Sequence, residues 1–386
     1  MKAPSAMEYL PQITGTAVDE LLARWQAEYP DMGVMAMLPE AEQAAVPVLQ
    51  QACNNRGASL AGALFPALVG SDGFLERGVW LLRFDHKPFT LISPELPQES
   101  DALQVTLDAL VNGITPHLGD DGDVTLFMLF DAMVPNIGTI LDELYLRLAN
   151  RVHYMGVNAG SESFQPMPCL FDNRNTVQNG VLLMLLKPHR GAILEHGYHV
   201  PEQMLTATST EGNRILQIDW RPAFEVYQEL AREQYGVEIN KENFYQYAVH
   251  FPFGIVRANG VIVVRIPVAL EEDGSLFCVG EVPANAVLAL LRAPEVDSVH
   301  TLDTLVRGVS ELYGPVEGRD LLLFYCAGRR MHLGIEAAAA EVQGLLQRTA
   351  AGRLAGALSL GECGSATEWG YPLFHNATLV ASLWGE

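Results

Sequence analysis

Ten histidines and five cysteines are the side chains of this chain best able to hold a metal or move a proton. Two of the imidazoles share one turn. His196 and His199 stand in Leu194-Glu-His-Gly-Tyr-His-Val-Pro201, directly after the apolar run Val181–Pro188. That order puts both rings at the mouth of a buried strand, beside a glycine that permits close approach and a proline that stiffens the turn. A turn histidine bonded to a neighbouring carbonyl has the same signature. Lys187 and Arg190 lie close by and could pair with a ligand's carboxylates or with acids of the chain itself. His250 belongs to Tyr245–Phe253, the most aromatic stretch, which reads either as the wall of a planar ligand's pocket or as core. Cys326 and Arg329 flank a strand-to-helix turn whose backbone N–H groups could hold a small anion, with Arg329 as a bidentate clamp. The competing reading pairs Arg329 with Glu362 or Glu341. His332, just after Arg329-Arg330, is expected at a helix N-terminus. Cys363 follows Glu362, with no neighbour in sequence to lower its pKa.

These residues need elements to position them. Short apolar runs of strand length recur, broken by Gly and Pro: Gly33–Leu38, Val79–Phe84, Val124–Phe130, Val181–Leu186, Val261–Val268, Leu321–Tyr325 and Leu379–Leu383. Helical patterns lie between them, at Ala41–Asn55, Ile137–Asn150, Pro222–Tyr235, Thr301–Tyr313 and Glu336–Ala350. An internal repeat runs through this order. Leu60-Ala-Gly-Ala-Leu64 returns as Leu354-Ala-Gly-Ala-Leu358, each after a strand and a helix. A third copy lies between them, from Val124–Phe130 through a helix to Val152–Gly160. Small residues let another element approach such a strand closely. The change-over between halves falls near Gln217–Pro222, with Pro222 expected at the first helical position.

The chain has 386 residues, enough for about two domains with proper cores. Apolar residues make up 49% and charged residues 18%, an ordinary folded composition. The net charge of −22 excludes a nucleic-acid backbone or an anionic membrane as the main partner. The longest apolar run falls well short of the about 18 residues that a membrane span needs. Met1–Pro11 carries no apolar core of a secretory signal. Five unclustered cysteines without a C-x-x-C predict free thiols, no structural zinc and a cytoplasmic protein. No nucleophile elbow, phosphate loop, dinucleotide fingerprint or H-E-x-x-H occurs, so no enzyme class is indicated.

The ordered segments resemble the FIST family, built from paired FIST-N and FIST-C domains. The likeness is carried by Met155-Gly-Val-Asn-Ala-Gly160, Val181–Lys187 with Gly197-Tyr-His-Val-Pro201, and Thr206–Asn213 with Ile218-Asp219 and Ala223–Tyr227. Phe324-Tyr-Cys-Ala-Gly-Arg329 with Gly334, Leu360-Gly-Glu-Cys363 and Phe374-His-Asn-Ala-Thr378 complete it. It covers about residues 30–383. The resemblance implies a cytoplasmic sensory module of signal transduction. About thirty residues precede the match and almost none follow, which predicts a stand-alone sensor reporting to a separate partner. One bacterial branch, the NosP type, binds haem, senses nitric oxide and regulates a histidine kinase or a cyclic-di-GMP enzyme. Two readings follow.

In the first, haem b is held with His199 as axial ligand, His196 or His250 as alternatives, and Lys187 and Arg190 on the propionates. In the second, no haem binds and a small anionic metabolite such as an amino acid sits at Cys326, Arg329, Glu362 and His375. His375, in the family's His-Asn-x-Thr segment, is otherwise structural, its ring bonded to backbone or to Glu362. The expected fold is α+β: two related domains, 31–219 and 220–383, after an extension at 1–30. Each has a mixed or antiparallel sheet backed by helices, stacked into α-β-β-α layers, with a ligand pocket between them. Monomer and homodimer both stay open. An acidic shell predicts a partner with a basic face.

Overall fold

A computed structural model describes residues 6–119, 123–292 and 298–385. The repeat read in the sequence is a structural unit used three times. Each unit runs edge strand, helix, strand, helix, parallel strand, hairpin, closing strand. The first holds Met7–Leu10, helix Gly15–Gln26, strand Gly33–Pro39, helix Val46–Arg56, strand Ser59–Phe65 and closing strand Val79–Phe84. The second holds Phe89–Ser93, Ser100–Ile114, Thr125–Asp131, Ile137–Leu148, His153–Ala159 and Val181–Leu186. The third begins at Ile193–Glu195 and resumes at Ser298–Tyr313. It continues through Asp320–Cys326, helices Ala327–Leu333 and Ile335–Thr349, Arg353–Ser359 and Leu379–Trp384.

The units do not keep their own hairpins. Leu68–Gly70 of the first joins the third unit's sheet, beside Arg353–Ser359. Leu170–Asp172 of the second joins the first unit's, beside Ser59–Phe65. Glu362–Gly364 of the third joins the second unit's, beside His153–Ala159. The exchange is cyclic and gives three six-stranded mixed sheets. Strands from both sides of residue 219 therefore share sheets.

One glycine per unit explains the Leu-Ala-Gly-Ala-Leu pattern. Gly62, Gly156 and Gly356 pair with Ala36, Met128 and Leu323 on one side, and with the visiting Phe171, Cys363 and Val69 on the other. A Cβ at Gly62 would lie 2.6 Å from the Ala36 carbonyl and inside the Phe171 ring; at Gly156 it would lie 2.9 Å from the Met128 carbonyl. At Gly356 it would run into the Leu323 carbonyl. The strand ends also bond around the ring: Gly160 N–H donates to Leu64 O at 2.8 Å, and Leu360 N–H to Asn158 O at 3.0 Å. The third such place is held by Pro66, which has no N–H to donate.

Strand alternation sorts the side chains into layers. In Thr125–Asp131, Phe127 and Leu129 face a core shared by all three sheets, while Leu126, Met128 and Phe130 face helices Ser100–Ile114 and Ile137–Leu148. In Asp320–Cys326, Leu322 and Phe324 face the shared core and Leu321, Leu323 and Tyr325 the helix side. The rings of Phe65 and Phe127 both reach Phe324, at 5.9 and 5.8 Å. The α+β class and the mixed sheets backed by helices are those expected from the sequence; the shared core lies among three sheets rather than between two stacked layers.

Between Glu195 and Ser298 the third unit is interrupted by two small antiparallel sheets with helices Ala223–Tyr235 and Phe244–Ala248 around their own core, which holds Tyr227, Phe244 and Phe253. This inserted part docks through Arg265 Nη1 on the Phe374 carbonyl at 2.8 Å, and Ile266 N–H on Asn376 Oδ1 at 3.1 Å. The change-over near residues 217–222 lies inside it. There Pro222 caps the helix from an extended conformation rather than occupying its first turn.

Candidate functional site

The expected ligand residues fall into several separate places. His199 is exposed on its turn. His196 is half-buried and its Nδ1 accepts the Tyr198 N–H at 2.9 Å. Burial lowers its pKa, and the Ile262 carbonyl faces the ring. His250 lies in the inserted part, with Nδ1 2.5 Å from Nδ1 of His332. His332 itself is in the last turn of helix Ala327–Leu333, not at its start. Lys187 donates to the His117 carbonyl. Arg190 binds the Glu368 carboxylate at 2.7 Å and the Leu312 carbonyl at 2.9 Å. His196, His250, Lys187 and Arg190 are thus each engaged by groups of the chain itself.

Cys326, Arg329, Glu362 and His375 do come together, where the third unit's parallel strands end. Arg329 clamps a carboxylate, but an internal one: Glu341, through Nε at 2.8 Å and Nη2 at 2.6 Å, with both side chains buried. Tyr325 Oη donates to Glu341 at 2.6 Å, and Arg329 Nη1 ties down the His196 carbonyl at 2.8 Å. Of the two acids expected to compete for Arg329, Glu341 is the partner. Glu362 is fully buried and accepts from Ser359 Oγ at 2.5 Å and Thr378 Oγ1 at 2.6 Å. Desolvation outweighs those bonds and pushes its pKa up to about 7. Cys326 Sγ accepts the Ala377 N–H at 3.1 Å, and burial raises its pKa, as it does for Cys363. His375 pairs with Glu362 through its strand backbone, not through its ring. Its Nδ1 is buried without a hydrogen-bond partner among the described residues, 6.4 Å separates its ring from that of His196, and burial holds its pKa well below the usual value. His375 Nδ1 apart, these groups are taken up by one another and by their neighbours, as a core network is.

A small cleft of about 20 Å³ lies elsewhere, where the second and third units meet. It is lined by His153, Arg190, Ser365, Thr367, Glu368 and Trp369 among others. His153 begins the second unit's parallel strand. Arg190 sits in the segment leading into the third unit, and the rest belong to the turn of the visiting hairpin. Gly191, at φ +88°, leaves room over the imidazole, where a Cβ would come within 3.1 Å of His153 Cβ. Trp369 is held at φ +57°, and its indole covers the His153 ring with centres 3.7 Å apart.

His153 is 4% exposed, its Nε2 has no hydrogen bond among the described residues, and neither does the buried Nε of Arg190. Burial is the main cause of a lowered His153 pKa, which favours the neutral ring. Glu368 and, at 3.8 Å from Arg190, Asp123 place carboxylates beside the guanidinium. Of these residues the sequence reading singled out only Arg190. An aromatic side chain amid the small and polar residues of Ser365–Gly370 was the available signal for Trp369.

Family models match most of the chain: the FIST N domain over residues 34–221 and the FIST C domain over residues 223–365. A protein of Methanocaldococcus jannaschii, itself uncharacterised, is 26% identical over 225 residues, which are 54% of this chain and 43% of that one. The chain thus spans less than half the length of that relative.

Proposed function

The chain belongs to the FIST family, and from that premise we propose that it is a sensory module that binds a small zwitterionic metabolite of the amino-acid class in the Trp369 cleft. The carrying observation is His153 Nε2, buried without a hydrogen bond among the described residues, beside the Arg190 guanidinium and under one exposed aromatic ring. A carboxylate would be held by Arg190, an ammonium by Glu368 and Asp123, and the side chain would lie against Trp369. Occupancy bridges the second unit, the third unit and the exchanged hairpin, so binding biases how those parts sit together. The signal passes to a separate partner of the histidine kinase or cyclic-di-GMP enzyme class. No catalytic step is assigned to the cleft.

The test is a thermal-shift and calorimetric screen of amino acids and organic acids on the full chain, the Arg190→Ala variant and the Trp369→Ala variant. A zwitterionic ligand that raises the melting temperature of the parent and of neither variant supports the reading. Failure of every amino acid overturns it. Haemin is titrated in parallel. A Soret band that shifts with nitric oxide and is lost on substituting His199 or His196 would replace this reading with a haem b sensor.

A further inference from the structure

The cyclic exchange builds the same corner three times. Each corner joins the start of a unit's second parallel strand and the turn of the visiting hairpin; at Ser59 and His153 the segment leading into the next edge strand completes it, and at Arg353 the edge strand Met7–Leu10 itself does. Three residues before the shared glycines stand Ser59, His153 and Arg353. The His153 corner is the Trp369 cleft. At the Arg353 corner the chain supplies its own carboxylate: Glu8 lies 3.4 Å from Arg353, whose Nη1 also donates to the Met7 carbonyl. At the Ser59 corner the corresponding carboxylate is Asp31, which is more exposed and lies 3.3 Å from Lys87. This corner is an open cleft lined by Ser59, Lys87, Thr90, Asn173 and Arg174.

The polar groups of the Ser59 corner favour an anion. Its acid, Asp172, is turned into its own turn, with Oδ1 accepting the Arg174 and Asn175 N–H groups at 2.7 Å each and Oδ2 the Asn175 amide at 3.0 Å. Asn173 is likewise engaged by Ala58, Leu60 and Asn54. Lys87 has an exposed ion pair with Asp31 at 3.3 Å, of a kind that contributes little. Ser59 Oγ is buried with no hydrogen-bond partner among the described residues. Arg174, with no ion pair among the described residues, and Lys87, in one weak exposed pair, therefore line this corner above the buried, unpartnered Ser59 hydroxyl, where the pseudo-equivalent corner holds a carboxylate against an arginine.

We propose that the Ser59 corner is a second ligand site, for a small oxyanion of the phosphate or carboxylate class held between Lys87 and Arg174 and reached by the hydroxyls of Ser59 and Thr90. It does not depend on the Trp369 cleft, because no residue is shared between the two.

Calorimetry with inorganic phosphate and, separately, succinate on the full chain tests this. The geometry predicts saturable binding that weakens as salt rises. The double substitution Lys87→Ala and Arg174→Ala should weaken it at least tenfold, and Ser59→Ala severalfold. Arg190→Ala should leave it unchanged. Preference for phosphate or for succinate identifies which oxyanion the site takes. Absence of saturable binding of either probe, or binding unaffected by the double substitution, overturns the proposal. Loss in Arg190→Ala instead would put the anion in the Trp369 cleft and equally overturn it. Each variant changes side chains at the surface or a single hydroxyl, and its melting curve reports any general loss of fold.

Discussion

The indole of Trp369 covers the imidazole of His153 at 3.7 Å, with the two planes 32° apart, although the residues come from different repeat units. The contact exists because the third unit lends its hairpin to the second unit's sheet. Trp369 is 40% exposed, so it packs on one face and offers the other to solvent or ligand. Trp369→Ala should cost about 1 kcal/mol of stability while abolishing the metabolite-induced shift. Differential scanning fluorimetry with and without ligand reads both. A variant that keeps the full shift would remove Trp369 from the site.

Arg329 and Glu341 form a buried, bidentate pair. Removing one partner leaves the other charge uncompensated, so Arg329→Ala or Glu341→Ala should destabilise by about 3–5 kcal/mol. Replacing both with apolar residues, Arg329→Met with Glu341→Leu, should cost clearly less than either single change. Urea unfolding of the three variants decides. Equal losses in all three would mean that an uncompensated buried charge is not what destabilises the single variants.

Glu362 carries a pH dependence. Its folded pKa is raised to about 7, above its ordinary value of 4.5. The folded chain therefore holds this proton after the unfolded chain has released it. The associated stability is fully present below pH 4.5 and is lost as pH rises through about 7, with a size on the order of 3 kcal/mol. His375 acts in the opposite sense, because its lowered pKa makes the folded chain resist protonation and lose stability as pH falls below about 6.5. The difference between parent and Glu362→Gln, followed by melting temperature from pH 5 to pH 8, isolates the carboxylate. The parent should lose stability relative to the variant across that range. Parallel curves would show that Glu362 ionises normally.

The three shared glycines should differ in tolerance. A methyl at Gly62 or Gly356 meets backbone and ring atoms that cannot yield, whereas at Gly156 its nearest neighbours lie at 2.9–3.2 Å and include the Met128 and Cys363 side chains. Gly62→Ala and Gly356→Ala should each destabilise by roughly 3 kcal/mol or more, and Gly156→Ala by about half that. Denaturant midpoints rank them. If Gly156→Ala were the worst, the three corners would not be equivalent.

Most of the fold was legible because strand and helix periodicity and the glycine-centred repeat are local properties of the chain. Val124–Phe130 and Leu321–Tyr325 announce buried strands whatever surrounds them, and the recurrence of Leu-Ala-Gly-Ala-Leu reports a backbone approach that no side chain tolerates. Arg329 was also legible as a clamp, though its choice of Glu341 over Glu362 depends on helix Ile335–Thr349 folding back over the strand end. The cleft was not legible. Its tryptophan reaches the histidine and the arginine only because hairpins are exchanged between units, and pairing between distant strands leaves no periodic mark at either partner. The sequence by itself determined the elements, their repetition and the acidic surface. The tertiary structure decided which of the ten histidines face a cavity, which carboxylate each arginine holds, and which corner the chain leaves open, since burial and charge pairing are properties of neighbours in space.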